Sequence, residues 1–364
     1  MQHKGRIYHY MQKFRFFAAI AAVTVLLSGA TFPARAATAQ IDGVPVPSES
    51  SLPVTEQKVS PVTEVIPGGD AVAVRLTAAG VVVVGFTDDD RDNPARTAGL
   101  KKGDLITKIG DRELDGNQSL ADGLKETGGR SVTLQYTRNG KNYETTVCPR
   151  PADGGWQIGV LVKDSTAGIG TLTYILPDGG NYGCLGHGIT DPDTETLFCV
   201  GRGDLYPAKI TGLRKGQCGT PGELQGAFGS PALGTCVKNC ETGLFGRLDR
   251  TLFQDRQAVP VASKNEIKEG DATIRCTVDD SGVQEYSVKI VRIYRTFGSV
   301  TKNMLVRVTD ERLLEKTGGI VQGMSGSPIF QNGKLVGAVT HVLINDPTSG
   351  YGIFIENMLT GANQ

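Results

Sequence analysis

Two short glycine-framed segments hold the residue types needed to attack a carbonyl group. Gly323-Met324-Ser325-Gly326-Ser327-Pro328 presents a serine between glycines just before an apolar stretch. Gly186-His187-Gly188 presents one of the two histidines beyond the N-terminal region; His341 is the other. An alcohol attacks well only when a neighbouring base takes its proton, and imidazole suits that task near neutral pH. Glycine permits backbone conformations closed to other residues and leaves room for a substrate carbonyl. The N–H groups of Gly323 and Ser325 can then aim at one point, as an oxyanion hole requires. A plain Gly-Ser turn between strands would need a shorter motif. His187, open between its glycines, is the expected base, and His341 is its rival, expected to pack beneath the site. A carboxylate should orient the imidazole. Asp310, between base and nucleophile in the chain, is the candidate, although it also fits the N-cap of a short helix over 311–316. Asp191 and Asp346 are the alternatives.

The surrounding pattern supplies β elements to carry these residues. Glycine numbers 48 and aromatics are only 6%, with no long amphipathic helical run, which favours strands joined by many turns. Ile329-Phe330 and Leu335–Val339 read as a hairpin around Gln331-Asn332-Gly333-Lys334. Residues 168–177 alternate like a strand leading toward His187, and strands are expected over 284–294 and 299–308. Upstream, residues 71–150 form a separate unit. Val72–Leu76 and Val81–Val84 read as two strands with a loop between them. Ser119 caps a helix over 119–126, with Asp122 in the capping-box position, and a hairpin closes around Asn139-Gly140. Residues 38–70, with Pro45, Pro47, Pro53, Pro61 and Pro67, read as a linker.

Residues 1–37 carry Lys4, Arg6, Lys13 and Arg15 before the apolar run from Phe16 to Gly29, followed by Ala34-Arg35-Ala36. This is the pattern of an export signal or a membrane anchor that sends the rest of the chain across. With 38 basic and 38 acidic residues, the charge balance points away from nucleic acid. Six of the seven cysteines lie between 184 and 276, and export makes disulfides the expectation there. Cys236-x-x-x-Cys240 has zinc-compatible spacing but lacks further ligands, so no metal is expected. Asp88-Asp89-Asp90 reads as a solvated loop.

At Gly99-Leu100-x-x-Gly103-Asp104-x-Ile106 the upstream unit resembles PDZ domains. Such a unit binds an extended peptide at a sheet edge beside a helix. The resemblance implies a groove at Gly80, Val81, Val82 and Val83, beside the helix at Ser119. Gly186-His187-Gly188, the Ser325 loop and Thr340–Gly352 together resemble the stage IV sporulation protein B peptidases of endospore-forming bacteria. That resemblance implies a mainly β chain: an N-terminal signal or anchor (1–37), a linker (38–70), a PDZ α+β domain (71–150) and a chymotrypsin-like double β-barrel serine peptidase (151–364). It implies His187, Asp310 and Ser325 as the triad and no cofactor. It further implies export to the space between forespore and mother-cell membranes. There such enzymes cleave themselves and then a regulatory membrane protein of a sigma-factor-processing complex. A general envelope protease of the high-temperature-requirement type usually places its peptidase before the PDZ unit, the reverse of the order here. A non-enzymatic peptide-binding scaffold would not need the intact serine and histidine.

Overall fold

The computed structural model describes residues 62–363 except 88–91, 153, 178, 250–252, 254 and 296–298. The expected signal or anchor, most of the expected linker and Asp88–Asp90 lie outside the described residues. Among the described residues no helix is long and apolar enough to cross a membrane.

The chain is built on two barrels. In the first, strands Val160–Ile175, Asn181–Cys184, Gly243–Leu248, Gly234–Cys240, Arg202–Arg214 and Ala71–Phe86 pair in that order. Pairing of Ala71–Phe86 with Val160–Ile175 closes the ring. In the second, Gly270–Cys276, Gln284–Ile293, Met304–Val308, Asp346–Phe354, Lys334–Leu343 and Pro328–Gln331 close on themselves. Each barrel packs aliphatic side chains inward. Leu76, Leu172, Leu205 and Leu244 fill the first, and Ile274, Ile290, Val306 and Ile329 fill the second, all fully buried. Burying each such side chain contributes about 1.5–3 kcal/mol.

The PDZ unit is carried on the first barrel. Ala71–Phe86 is one continuous strand rather than two, and its halves do different work. Its first half, Val72–Thr77, pairs with Pro207–Arg202 of the barrel. Its second half adds Val81 and Val82 to Ile106 and Leu105 of the PDZ sheet. Gly80, with φ of +141°, bends the chain between them, and a Cβ there would lie 2.2 Å from the Ile106 carbonyl oxygen. Strands Leu105–Ile109, Val132–Arg138 and Lys141–Val147 and helix Asn117–Thr127 complete the unit around Val81, Val83, Leu120, Leu124 and Leu134. The expected linker end at residue 70 falls inside this architecture. Glu64–Pro67 is already a strand, pairing with Ile175 and Tyr174 of the first barrel.

Local detail follows the turn chemistry in most places. Asn139-Gly140 and Asn332-Gly333 all take positive φ, as two-residue hairpin turns need. The expected cap at Ser119 is corrected: the helix starts at Asn117 with Gly116 before it. Ser119 Oγ instead reaches back to accept from the N–H groups of Asp115 and Gly116.

The disulfide expectation is corrected too, because all seven cysteines are free thiols. Cys184 and Cys236 are buried in the first barrel and Cys276 in the second, while Cys148, Cys199 and Cys218 are exposed. Cys236 and Cys240 stand four residues apart on one strand, about 13 Å, beyond the reach of an S–S bond.

Candidate active site

The nucleophile loop crosses from the short helix Glu311–Thr317 into the second barrel. Gly323 and Gly326 take φ of +98° and +97°, which a side chain would strain. At Gly326 a Cβ would lie 2.1 Å from the Thr171 carbonyl oxygen, so glycine is required by contact as well as by conformation. The first barrel grips the loop through the fully buried end of strand Val160–Ile175. Thr171 N–H donates to Ser325 O (2.8 Å), Thr171 Oγ1 to Gly323 O (2.9 Å) and Thr173 Oγ1 to Gly326 O (2.7 Å). These bonds tie the loop's carbonyls inward. Its amides divide: Met324, Gly326 and Ser327 donate within the protein, whereas the N–H groups of Gly323 and Ser325 have no acceptor among the described residues. Two unused donors beside a serine are what an oxyanion site needs.

Ser325 and His187 line one cavity of about 400 Å³, together with Gly323, Thr340 and His341. Its remaining walls are largely aliphatic, including Leu185, Val321, Val342 and Ile344. The Ser325 hydroxyl donates to Thr340 O at 2.8 Å. A register shift between Val339 and His341 interrupts the ladder there and turns that carbonyl toward the serine.

His187 Nδ1 lies 2.9 Å from Gly188 O. A carbonyl only accepts, so this contact places the ring proton on Nδ1 and leaves the Nε2 lone pair as the base. Burial pushes the His187 pKa below its usual value, outweighing the bond to the Gly188 carbonyl that favours the charged ring. The His341 ring sits beside it, centroids 4.8 Å apart, with Nδ1 buried and unpartnered. Burial, then repulsion from His187 and Lys302, brings the His341 pKa down to about 4. Both rings are therefore neutral at pH 7.

The structure does not bring Asp310 to His187. Asp310 is the N-cap of helix Glu311–Thr317 and accepts from Arg312 N at 3.0 Å. Its other partners are the Arg312 guanidinium (2.8 Å) and Ser287 N (3.2 Å). The Arg312 bond holds its carboxyl below the usual range. The carboxylate thus serves the alternative role that its position before Glu311 allowed. Asp191 is also occupied, accepting from Lys163 Nζ (2.6 Å) and from the amides of Asp193 and Thr194. Asp346 accepts from Thr348 Oγ1 at 2.5 Å. The group found on His187 Nδ1 is a main-chain carbonyl, and the residue pattern carries no signal for that. Among the described residues no cluster of three His, Cys, Asp or Glu side chains could hold a metal.

Two closed barrels, a loop serine and a histidine on one cavity, and two spare amides define a serine peptidase of chymotrypsin-like architecture carrying a PDZ domain. The chain belongs to the SpoIVB peptidase S55 family, whose model matches residues 154–359; a PDZ-domain model matches 68–148. A Lactococcus lactis protein described as "Putative zinc metalloprotease LL2128" is 28% identical over 114 residues, 30% of this chain, and the match spans about a quarter (26%) of that relative's length. The PDZ domain of an SdrC-like protein from Listeria monocytogenes is 28% identical, covering 24% of this chain and 90% of its own, with a TM-score of 0.21. The HtrA-type protease AlgW with decapeptide is 12% identical, covering 56% of this chain and 53% of its own, with a TM-score of 0.33.

Proposed function

We propose that this chain is an exported, membrane-anchored serine endopeptidase of sporulation that cleaves itself and then a regulatory membrane protein, releasing the processing of a sigma-factor precursor. The N-terminal apolar segment, the PDZ unit and the family support that reading, which places the enzyme between forespore and mother-cell membranes. One observation carries the chemistry: Ser325 and His187 line a single cavity beside the unused amides of Gly323 and Ser325.

A peptide entering the cavity sets an apolar side chain against Leu185, Val321 and Val342. Its carbonyl lies over Ser325. The hydroxyl turns from Thr340 O to His187 Nε2, which takes the proton as the oxygen attacks. The Gly323 and Ser325 amides hold the oxyanion, each worth about 3–4 kcal/mol in comparable sites. The imidazolium then returns its proton to the leaving amine, while the Gly188 carbonyl keeps the ring from turning. Water repeats the sequence on the acyl-enzyme.

Ser325→Ala tests this. Circular dichroism should match the parent, because only one hydroxyl and its bond to Thr340 O are lost, and self-cleavage should stop. A folded Ser325→Ala chain that still cuts itself sinks the reading.

A further inference from the structure

The peptide groove of the PDZ unit is already filled, and its occupant belongs to the peptidase. Residues Val160–Lys163 pair antiparallel with the edge at Val82–Phe86, with Val83 opposite Val162 and Phe86 opposite Val160. That edge, beside helix Asn117–Thr127, is the one a ligand strand would join. The occupant has a ligand's alternation. Val160 and Val162 pack on the PDZ core, while Leu161 between them is 50% exposed. Asp164 Oδ2 accepts from Asn117 N at the start of the helix, at 2.9 Å.

The same strand reaches both halves of the catalytic site. Lys163 Nζ bridges to Asp191 (2.6 Å) and Asp193 (2.9 Å), in the segment that follows His187. Further along, Thr171 and Thr173 hold the Ser325 loop. The two ends differ in stability. Gly170–Ile175 is fully buried in the barrel, whereas Val160–Ile169 is nowhere fully buried. A half-buried edge segment opens at far lower free energy than a core strand. In the arrangement it now holds, the Ser325 hydroxyl is bonded to Thr340 O and is not hydrogen-bonded to the imidazole.

We propose that Val160–Asp164 is an intramolecular ligand of the PDZ groove that latches the peptidase in a resting state. An extended peptide with apolar residues at alternate positions displaces it and thereby activates cleavage. The PDZ unit is then a sensor whose occupancy reaches Ser325 and His187 through one strand. This rests on the serine-peptidase reading above.

The experiment uses the full chain with Ser325→Ala as blank. Val162→Asp places a charge in the groove, and Asp164→Asn weakens the contact to the helix without touching the core. Both should raise amide exchange over 160–164 and 82–86 and speed Ser325-dependent self-cleavage. The increase should be about fivefold for Val162→Asp, the shift expected when roughly one kcal/mol of cross-strand contact is lost. A synthetic peptide of residues 158–166 should bind the opened Val162→Asp chain and change the fluorescence of Trp156, the single tryptophan, which packs on the PDZ core. Faster exchange with unchanged or slower cleavage overturns the latch. So does unchanged exchange in both variants, since the strand is then a fixed part of the sheet, and so does an opened groove that ignores the peptide. Absence of Ser325-dependent cleavage in every chain, parent included, instead fails the peptidase reading.

Discussion

Thr171 offers a direct measure of how far the first barrel governs the nucleophile. It is 1% exposed, and its hydroxyl donates at 2.9 Å to the Gly323 carbonyl. Thr171→Val keeps the branched shape that suits a strand and removes only that donor. The Gly323 carbonyl is then left without the hydroxyl, which costs about 1–3 kcal/mol. At about 2–4 °C per kcal/mol for a unit of this size, the melting temperature should fall by roughly 2–12 °C. Catalysis should suffer more than stability. Gly323 supplies one of the two spare amides, and a residue no longer anchored at its carbonyl is free to rotate, which takes its own N–H out of line. Loss of one oxyanion donor lowers turnover by about 10²–10³. The assay is Ser325-dependent self-cleavage beside thermal melting, with Thr171→Ser as the control that restores the hydroxyl. If Thr171→Val melts and cleaves like the parent, the strand does not position the loop and the reasoning fails.

Four further outcomes follow from the structure. The acid limb of cleavage should lie below pH 6.5, because burial lowers the His187 pKa from that value and the base must be neutral; a limb above 6.5 contradicts this. Stability should move in the same window: the folded-state pKa of His341, about 4, is below its unfolded value of 6.5, so unfolding takes up protons. Stability from that ring is therefore present above pH 6.5 and lost as pH falls toward 4, which pH-dependent urea titrations will show. Asp310→Asn should keep the helix cap, since asparagine caps as well as aspartate, and cleavage should change by less than tenfold; a loss near 10⁴ would show that the working enzyme brings this carboxylate to His187. Maleimide should label Cys148, Cys199 and Cys218 rapidly in the folded chain, leaving Cys184 and Cys276, whose thiol pKa values burial raises, for labelling only after denaturation.

What could be read in the sequence is what local chemistry decides. Glycines around Ser325 and His187 announced two exposed reactive groups, and the structure places both on one cavity. Asn-Gly pairs announced hairpins because few other dipeptides accept two positive φ values. Asp310 shows the limit. A carboxylate after a strand and before a short helix satisfies two readings at once, and only three-dimensional distance separates a helix cap from a base-orienting group. The PDZ groove shows a second limit. Val81–Val83 have the pattern of a peptide-binding edge, but no local pattern says that residues eighty further along will occupy it. Pairings of such separation are settled by what each edge can bury and bond. Here the free edge at Val82–Phe86 finds Val160–Lys163 within its own chain. An unpaired sheet edge is a standing invitation to association. Closing it in cis protects the edge until a competing strand arrives, and makes edge pairing, rather than a moving domain, the step at which a partner's arrival can be felt by Ser325.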